Sequence, residues 1–264
     1  MSPVRRLVLA LLAAVLLVVA VGAGVVVVRR SGASPSTAVR QDRPGTVLLV
    51  PGYGGGVGGL EQLAARLRSV GRPGRIVTVV ALPGDATGPI AAQAAALGAA
   101  ATAAVAAGAP SVDVVGYSAG GVVARYWVAR LGGARLARRV VTLGSPQHGT
   151  DVAALATALA PGACPAACQE LAPDSALLAG LNRGDETPPG PRWVSIWSAQ
   201  DQVVTPPSSA GLVGALDVVV QDLCPGRAVS HGQLPTDAAV QALVVAVLGA
   251  SPRLPHVGPG CPVR

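Results

Sequence analysis

The 264-residue chain contains no Phe and no Lys, and aromatic residues make up only 2% of it. Without Phe, the core and any substrate pocket have to be built from Ala, Val, Leu and Gly. Without Lys, all twenty basic side chains are Arg. Together with the excess of Ala, Gly and Pro, this reads as a coding bias and carries little functional weight. Charged residues are also few, at 12% against 51% hydrophobic, which excludes a disordered chain and indicates a globular body. The length suits one domain with a substantial core. Histidine is scarce as well. Only His148, His231 and His256 are available to any chemistry that needs an imidazole.

The formal charge of +7 is less informative than it looks. Arg5, Arg6, Arg29 and Arg30 flank an N-terminal hydrophobic run, and subtracting these four leaves +3 for the rest. No basic stripe interleaved with aromatics exists, so a nucleic-acid partner is not expected. From Leu7 to Val28 the chain runs without a charge. A signal-peptide core spans about 7–15 residues, whereas a membrane helix needs roughly 20. The length favours an uncleaved anchor over a cleaved signal. Both place the remaining chain outside the cytoplasm, secreted or held at the outer face of the membrane.

The four cysteines fit that compartment. Four cysteines allow three connectivities, and sequence alone does not choose among them. Closeness in sequence favours Cys164–Cys168, which leaves Cys224–Cys261 to tie down the Pro-rich tail. No His stands near Cys164 and Cys168, so disulfides are preferred to a metal site.

Four segments are expected: the hydrophobic segment 1–30, a polar linker 31–44, a catalytic domain 45–250 and a Pro-rich tail 251–264. Within the domain, apolar β-rich runs alternate with helical stretches, as in a parallel sheet covered on both faces. Strands are expected at Thr46–Val50, Arg75–Leu82, Ser111–Tyr117, Arg139–Leu143, Trp193–Ser198 and Leu216–Gln221. Helices are expected in five places. One carries Leu60, Leu63, Leu67 and Val70 on one side. The others run over Pro89–Ala107, from Ala119 to about Arg130, over Asp151–Leu159 and over Ala238–Leu248. Six strands with interleaved helices make a small doubly wound α/β sheet. No internal repeat is present.

The chemistry centres on Gly116-Tyr117-Ser118-Ala119-Gly120. On a sharp strand-to-helix turn the Ser is held in a strained conformation with its hydroxyl projecting. Side chains two positions either side would collide, so Gly is needed at both. With fifteen Ser and 34 Gly in the chain, about 0.25 chance matches are expected, so the motif counts only in context. That context is present, with a Val-rich strand leading in and a helix leading out. A Ser hydroxyl needs a base to take its proton. His148 precedes the order Ser, acid, His that accompanies such a turn, and His256 lies in the tail. His231, between the last strand and the closing helix, is the candidate.

The His in turn needs an acid to fix its tautomer. Asp201, just after Trp193–Ser198, has the right order and the right sheet edge, and Asp222 is the reserve. An oxyanion needs two aimed N–H donors. Ala119 N–H, directly after the nucleophile, is one. The Gly-rich loop Val50–Gly56 supplies the other, assigned to Tyr53. That loop lacks the Lys-Ser/Thr ending of a nucleotide loop and the spaced glycines of a dinucleotide one.

With these motifs in place, the chain resembles the small secreted bacterial lipases of the α/β-hydrolase superfamily, from about Thr46 to Ala250. The supports are VPGYGGG, VDVVGYSAGG, TLGSPQHGT, SIWSAQDQVV and VSHGQLP, in that order. The resemblance implies hydrolysis of acyl esters such as triacylglycerols through an acyl-enzyme, without a cofactor. Where the family often has His-Gly in the oxyanion loop, this chain has Pro51-Gly52. The segment from Gln147 to Pro191 is longer than compact members need, and forms either a partial lid or a stapled surface loop. No calcium loop is recognisable, and no metal is expected. The same triad could serve an acyltransferase or thioesterase acting on envelope lipids. A membrane-tethered binding protein on a decayed hydrolase fold is the non-enzymatic alternative, and the intact Ser118, Asp201 and His231 set argues against it. A lipid or small ester is the expected partner, and a monomer the expected state.

Overall fold

The computed structural model describes residues 39–70, 74–251 and 260–261. The hydrophobic run Leu7–Val28 and His256 lie outside these residues.

Six parallel strands alternate with helices. β1 (Thr46–Val50) leads to α1 (Gly58–Val70), β2 (Val77–Val79), α2 (Ile90–Ala106), β3 (Val112–Tyr117), α3 (Ala119–Arg130) and β4 (Ala137–Leu143). Three short helices follow, α4 (Asp151–Leu159), α5 (Ala166–Glu170) and α6 (Ala176–Leu181). β5 (Arg192–Trp197), β6 (Leu216–Val219), α7 (Val220–Leu223) and α8 (Ala238–Val247) complete the domain. The sheet order is β2-β1-β3-β4-β5-β6, and every pairing is parallel.

The strands are apolar on both faces because both are covered. Side chains alternate along β1. Leu48 and Val50 join one core with α2 and α3 around Trp127, and Val47 and Leu49 join the other with α1 and α8. Trp127 is the largest fully buried side chain among the described residues, and with the buried Trp193 and many small aliphatics it fills the place Phe takes elsewhere. On α1, Leu60, Leu63 and Leu67 are buried as their spacing predicts, but Val70 is exposed. It stands at the last residue of the helix, beyond the sheet that covers the others.

Two strands are shorter than expected. β2 forms ladder pairs only at Val77–Val79, because as the outermost strand it has β1 alone as a partner. β6 stops at Val219, where the chain turns into α7. The last residues assigned to the linker are hydrogen-bonded to the sheet base. Arg40 N–H donates to Pro110 O, and Ser111 Oγ donates to Arg43 O. Both disulfides have the favoured pairing, with Cα–Cα separations of 5.3 Å for Cys164–Cys168 and 4.6 Å for Cys224–Cys261. Among the described residues no helix is long and apolar enough to cross a membrane.

Candidate active site

β3 ends on Tyr117, and Ser118 takes φ 53° and ψ −128° before α3 begins at Ala119. A non-glycine residue rarely adopts this backbone, and it persists only where its surroundings dictate it. The three glycines around it show how. A methyl on Gly116 would lie 2.5 Å from Gly120 O and from Gly121 Cα. One on Gly120 would lie 2.3 Å from Val50 O, and one on Gly121 2.0 Å from Ser145 Oγ. Side chains at these positions would lever the start of α3 off β1 and β4, and the sharp turn would open.

The loops at the carboxyl ends of β5 and β6 bring two further groups to Ser118. His231 Nε2 is 3.0 Å from Ser118 Oγ. His231 Nδ1 is 2.7 Å from Asp201 Oδ2. The other carboxylate oxygen of Asp201 accepts from Val203 N–H at 2.8 Å and Val204 N–H at 2.9 Å. Both oxygens are thus engaged and the carboxylate is buried, which fixes its direction toward the imidazole. Donation from Nδ1 to Asp201 leaves Nε2 as the basic nitrogen facing Oγ. Asp222 is exposed and makes no contact with His231. His148 is occupied elsewhere, its Nε2 2.9 Å from Glu186 Oε1.

The loop after β1 presses against the nucleophile. A methyl on Gly52 would stand 2.8 Å from Ser118 Cβ, so a glycine is required for this approach. The Pro51-Gly52 sequence meets that need at its second position. Neither Tyr53 N–H nor Ala119 N–H donates to a protein group among the described residues. The Tyr53 side chain points to solvent and is 44% exposed.

Two contributors were missed in the sequence. Gly144, at the end of β4, has φ 52°, and a methyl there would meet Leu234 Cδ1 at 2.4 Å and Asp201 Oδ2 at 3.1 Å. The chain bends there directly beneath the acid. A Gly between a strand and Ser-Pro was the available signal. Tyr117 lies against His231 with ring centroids 5.2 Å apart, and its hydroxyl donates to His231 O at 3.3 Å. Burial, with the nearby Asp201 charge, pushes the phenol up to about 12, so it stays a neutral donor.

The segment 147–191 folds as α4–α6 over one side of the site. It is clamped from below by Arg125 of α3. That buried guanidinium donates to Glu186 O at 2.8 Å, Leu181 O at 2.9 Å and Asn182 Oδ1 at 2.6 Å. Burial lowers it to about 10, so it remains a cation at neutral pH. α4 is capped by Thr150, whose hydroxyl also donates to Val203 O at 2.7 Å, two residues from Asp201. Its Val152, Leu155 and Leu159 face solvent. The helix therefore carries an uncovered apolar stripe. Among the described residues no cluster of His, Cys, Asp or Glu is suited to a metal ion.

The comparisons agree with this geometry at the level of family and fold. No curated protein matches the chain. Among solved structures it is similar to Aspergillus fumigatus lipase B, with a TM-score of 0.66, 21% identity and 87% of this chain covered. The chain spans 56% of that protein's length. It is also similar to mature Bacillus licheniformis lipase BlEst2, with a TM-score of 0.56 and 17% identity over 70% of this chain and 87% of the other. A lipase-esterase related protein from Clostridium acetobutylicum shares the fold at a TM-score of 0.51 and 14% identity, covering 75% of this chain and 91% of the other. Residues 101–241, just over half of the chain and including Ser118, Asp201 and His231, match the family described as lipase (class 2). On that match, the chain belongs to the class 2 lipase family of ester hydrolases, with the fold of an α/β-hydrolase.

Proposed function

We propose that the protein is an exported serine carboxylic-ester hydrolase of lipase type, with Ser118 as nucleophile, His231 as general base and acid, and Asp201 as the group that orients and stabilises the imidazole. The observation that carries this reading is the continuous chain from Asp201 Oδ2 through His231 to Ser118 Oγ, at 2.7 and 3.0 Å, on a strained turn.

In the first half-reaction, Ser118 Oγ bonds to the ester carbonyl carbon as its proton passes to His231 Nε2. The carbonyl oxygen becomes an oxyanion, for which the Tyr53 and Ala119 N–H groups are the proposed donors. Collapse breaks the bond to the alcohol oxygen, which leaves with the proton from His231. In the second half, water gives a proton to His231 and its oxygen bonds to the acyl carbon. The Ser118–acyl bond then breaks, the acid departs and Ser118 regains its proton. No cofactor is needed.

Two disulfides in so small a domain support an oxidising compartment. The hydrophobic run Leu7–Val28 supports export by the same route. The apolar stripe on α4 suits water-insoluble esters better than small polar ones.

The test is hydrolysis of p-nitrophenyl esters of short to long acyl chains by oxidised protein, with Ser118→Ala alongside. Turnover that disappears in the variant is expected, with a long-chain optimum. Full turnover in the variant would reject the nucleophile. No turnover by folded wild-type protein on any chain length would reject ester hydrolysis in favour of acyl transfer or thioester cleavage.

A further inference from the structure

Asp201 and His231 come from different loops, and something has to keep those loops in register to within a few tenths of an ångström. The groups that do so lie behind the site. Ser198, at the end of β5, is fully buried. Its Oγ donates to Val229 O at 2.6 Å, two residues before His231. The same oxygen accepts from Gln200 N–H at 3.1 Å, one residue before Asp201, and from Gln221 Nε2 at 3.0 Å. A hydroxyl has one proton and two lone pairs, so Ser198 is saturated.

Two glutamines extend the bridge. Gln221 also donates to Arg227 O at 3.1 Å and accepts from Ala199 N–H at 2.8 Å. Gln200 Oε1 accepts from Val229 N–H at 3.2 Å. Apart from the Gln200 N–H bond to Ser198, which lies within the 198–201 turn, each of these bonds joins that turn to the 227–231 loop or ties Gln221 to one of them. None reaches Ser118.

We propose that Ser198 is a positioning residue for the reaction: its hydroxyl, backed by Gln221, locks the acid turn to the histidine loop and so sets the Asp201–His231 hydrogen bond. The claim deepens the serine-hydrolase reading and rests on it for its kinetic part. Ala at 198 would take the donor from the buried Val229 carbonyl and the shared acceptor from the Gln200 N–H and the half-buried Gln221 amide at once. The local response is for the two loops to part, which misaligns His231 without touching the substrate side. A misplacement of about 1 Å can cost on the order of 10²-fold in rate, so even a partial separation is measurable.

The experiment compares full-chain wild type, Ser198→Ala, Ser198→Thr and Ser118→Ala. It reads kcat and KM on a p-nitrophenyl ester, and the downfield NMR proton of His231 Nδ1–H in its bond to Asp201. In Ser198→Ala, kcat is expected to fall about tenfold or more with KM within about twofold, and the downfield proton to broaden or vanish. Ser198→Thr, which keeps the hydroxyl, is expected to restore the proton and part of kcat. Ser118→Ala is expected to lose turnover and keep the proton.

Unchanged kcat and an unchanged resonance in folded Ser198→Ala would overturn the proposal. Turnover surviving in Ser118→Ala would instead overturn the nucleophile, and the resonance would still decide the role of Ser198. If Ser198→Ala does not fold, Gln221→Leu at a half-buried position carries the test. That change removes three hydrogen bonds; a fall in kcat of about two- to fivefold or more supports the bridge, and no fall overturns it.

Discussion

The two ends of the sheet bury polar groups in opposite ways. At the amino end, Asp113 of β3 is enclosed by Arg138, with contacts at 2.8 and 2.7 Å, and by Arg75. The same two arginines reach the carbonyls just past the end of α8, Leu248 O at 3.0 Å from each and Gly249 O at 2.9 Å from Arg138. Cations at the negative end of a helix dipole are well placed. Burial pushes the Asp113 carboxyl up, against the pull of Arg138 and Arg75. At the carboxyl end no arginine touches Asp201. Its partners are two backbone N–H groups and an imidazole, and the strained Ser118 stands beyond. One end spends its charges on closing the structure, and the other keeps a proton-accepting nitrogen free to act. Backbone strain at Ser118 marks the carboxyl end, and paired charge marks the amino end.

Substitutions separate the two. Ser118→Ala is expected to lower ester turnover by at least about 10⁴-fold and leave the thermal midpoint within a few degrees, read by assay and melting curve. Asp113→Ala should do the reverse. Removing the buried carboxylate that pairs with Arg138 and Arg75 costs about 3–5 kcal/mol, seen in denaturant unfolding, while kcat per folded molecule is unchanged. Should Asp113→Ala abolish activity in protein that remains folded, the division between the ends fails.

Gly144→Ala lies between these cases. The positive φ and the clash with Leu234 should cost about 1–3 kcal/mol, and pressure on Asp201 should lower kcat by about tenfold. Tyr117→Phe removes one long hydrogen bond, worth about 0.5–1 kcal/mol, and should lower kcat by about two- to fivefold with KM unchanged.

The smallest effect is one of pH. Burial raises the Glu186 carboxyl, but His148, the Val213 N–H and Arg125 together pull it below the ordinary glutamate value. A depressed carboxyl contributes stability above its unfolded pKa and loses it as pH falls through the folded one. The stability gap between wild type and Glu186→Gln should therefore be present at neutral pH and close in acid, below the usual glutamate range. Unfolding curves over pH would show it.

Much of the site was legible in the sequence because its parts are local. The Gly116–Gly120 motif is a backbone requirement written into five consecutive residues. Asp201 and His231 follow from strand order, since parallel strands deliver their loops to one edge. With three histidines in the chain, choosing the base was nearly elimination. The disulfides follow from proximity in one case and remainder in the other. Less legible was α4. Its apolar spacing at 152, 155 and 159 is what a buried face would show, and periodicity does not say whether anything covers it. β2 was over-extended for a related reason, because an apolar run does not reveal how many neighbours the strand has.

By itself, the sequence determined the six-stranded sheet, the sharp turn at Ser118 and the chain order of the proposed triad. These depend on backbone geometry and on alternation along short stretches. Only the tertiary structure decided which distant residues meet around the candidate site. Ser198 meets Val229, Arg125 meets Glu186, and Gly144 passes beneath Asp201, each across tens of residues of chain. Such contacts have no period and no motif, because the residues that make them are ordinary until folding puts an unpaired carbonyl or a carboxylate within reach.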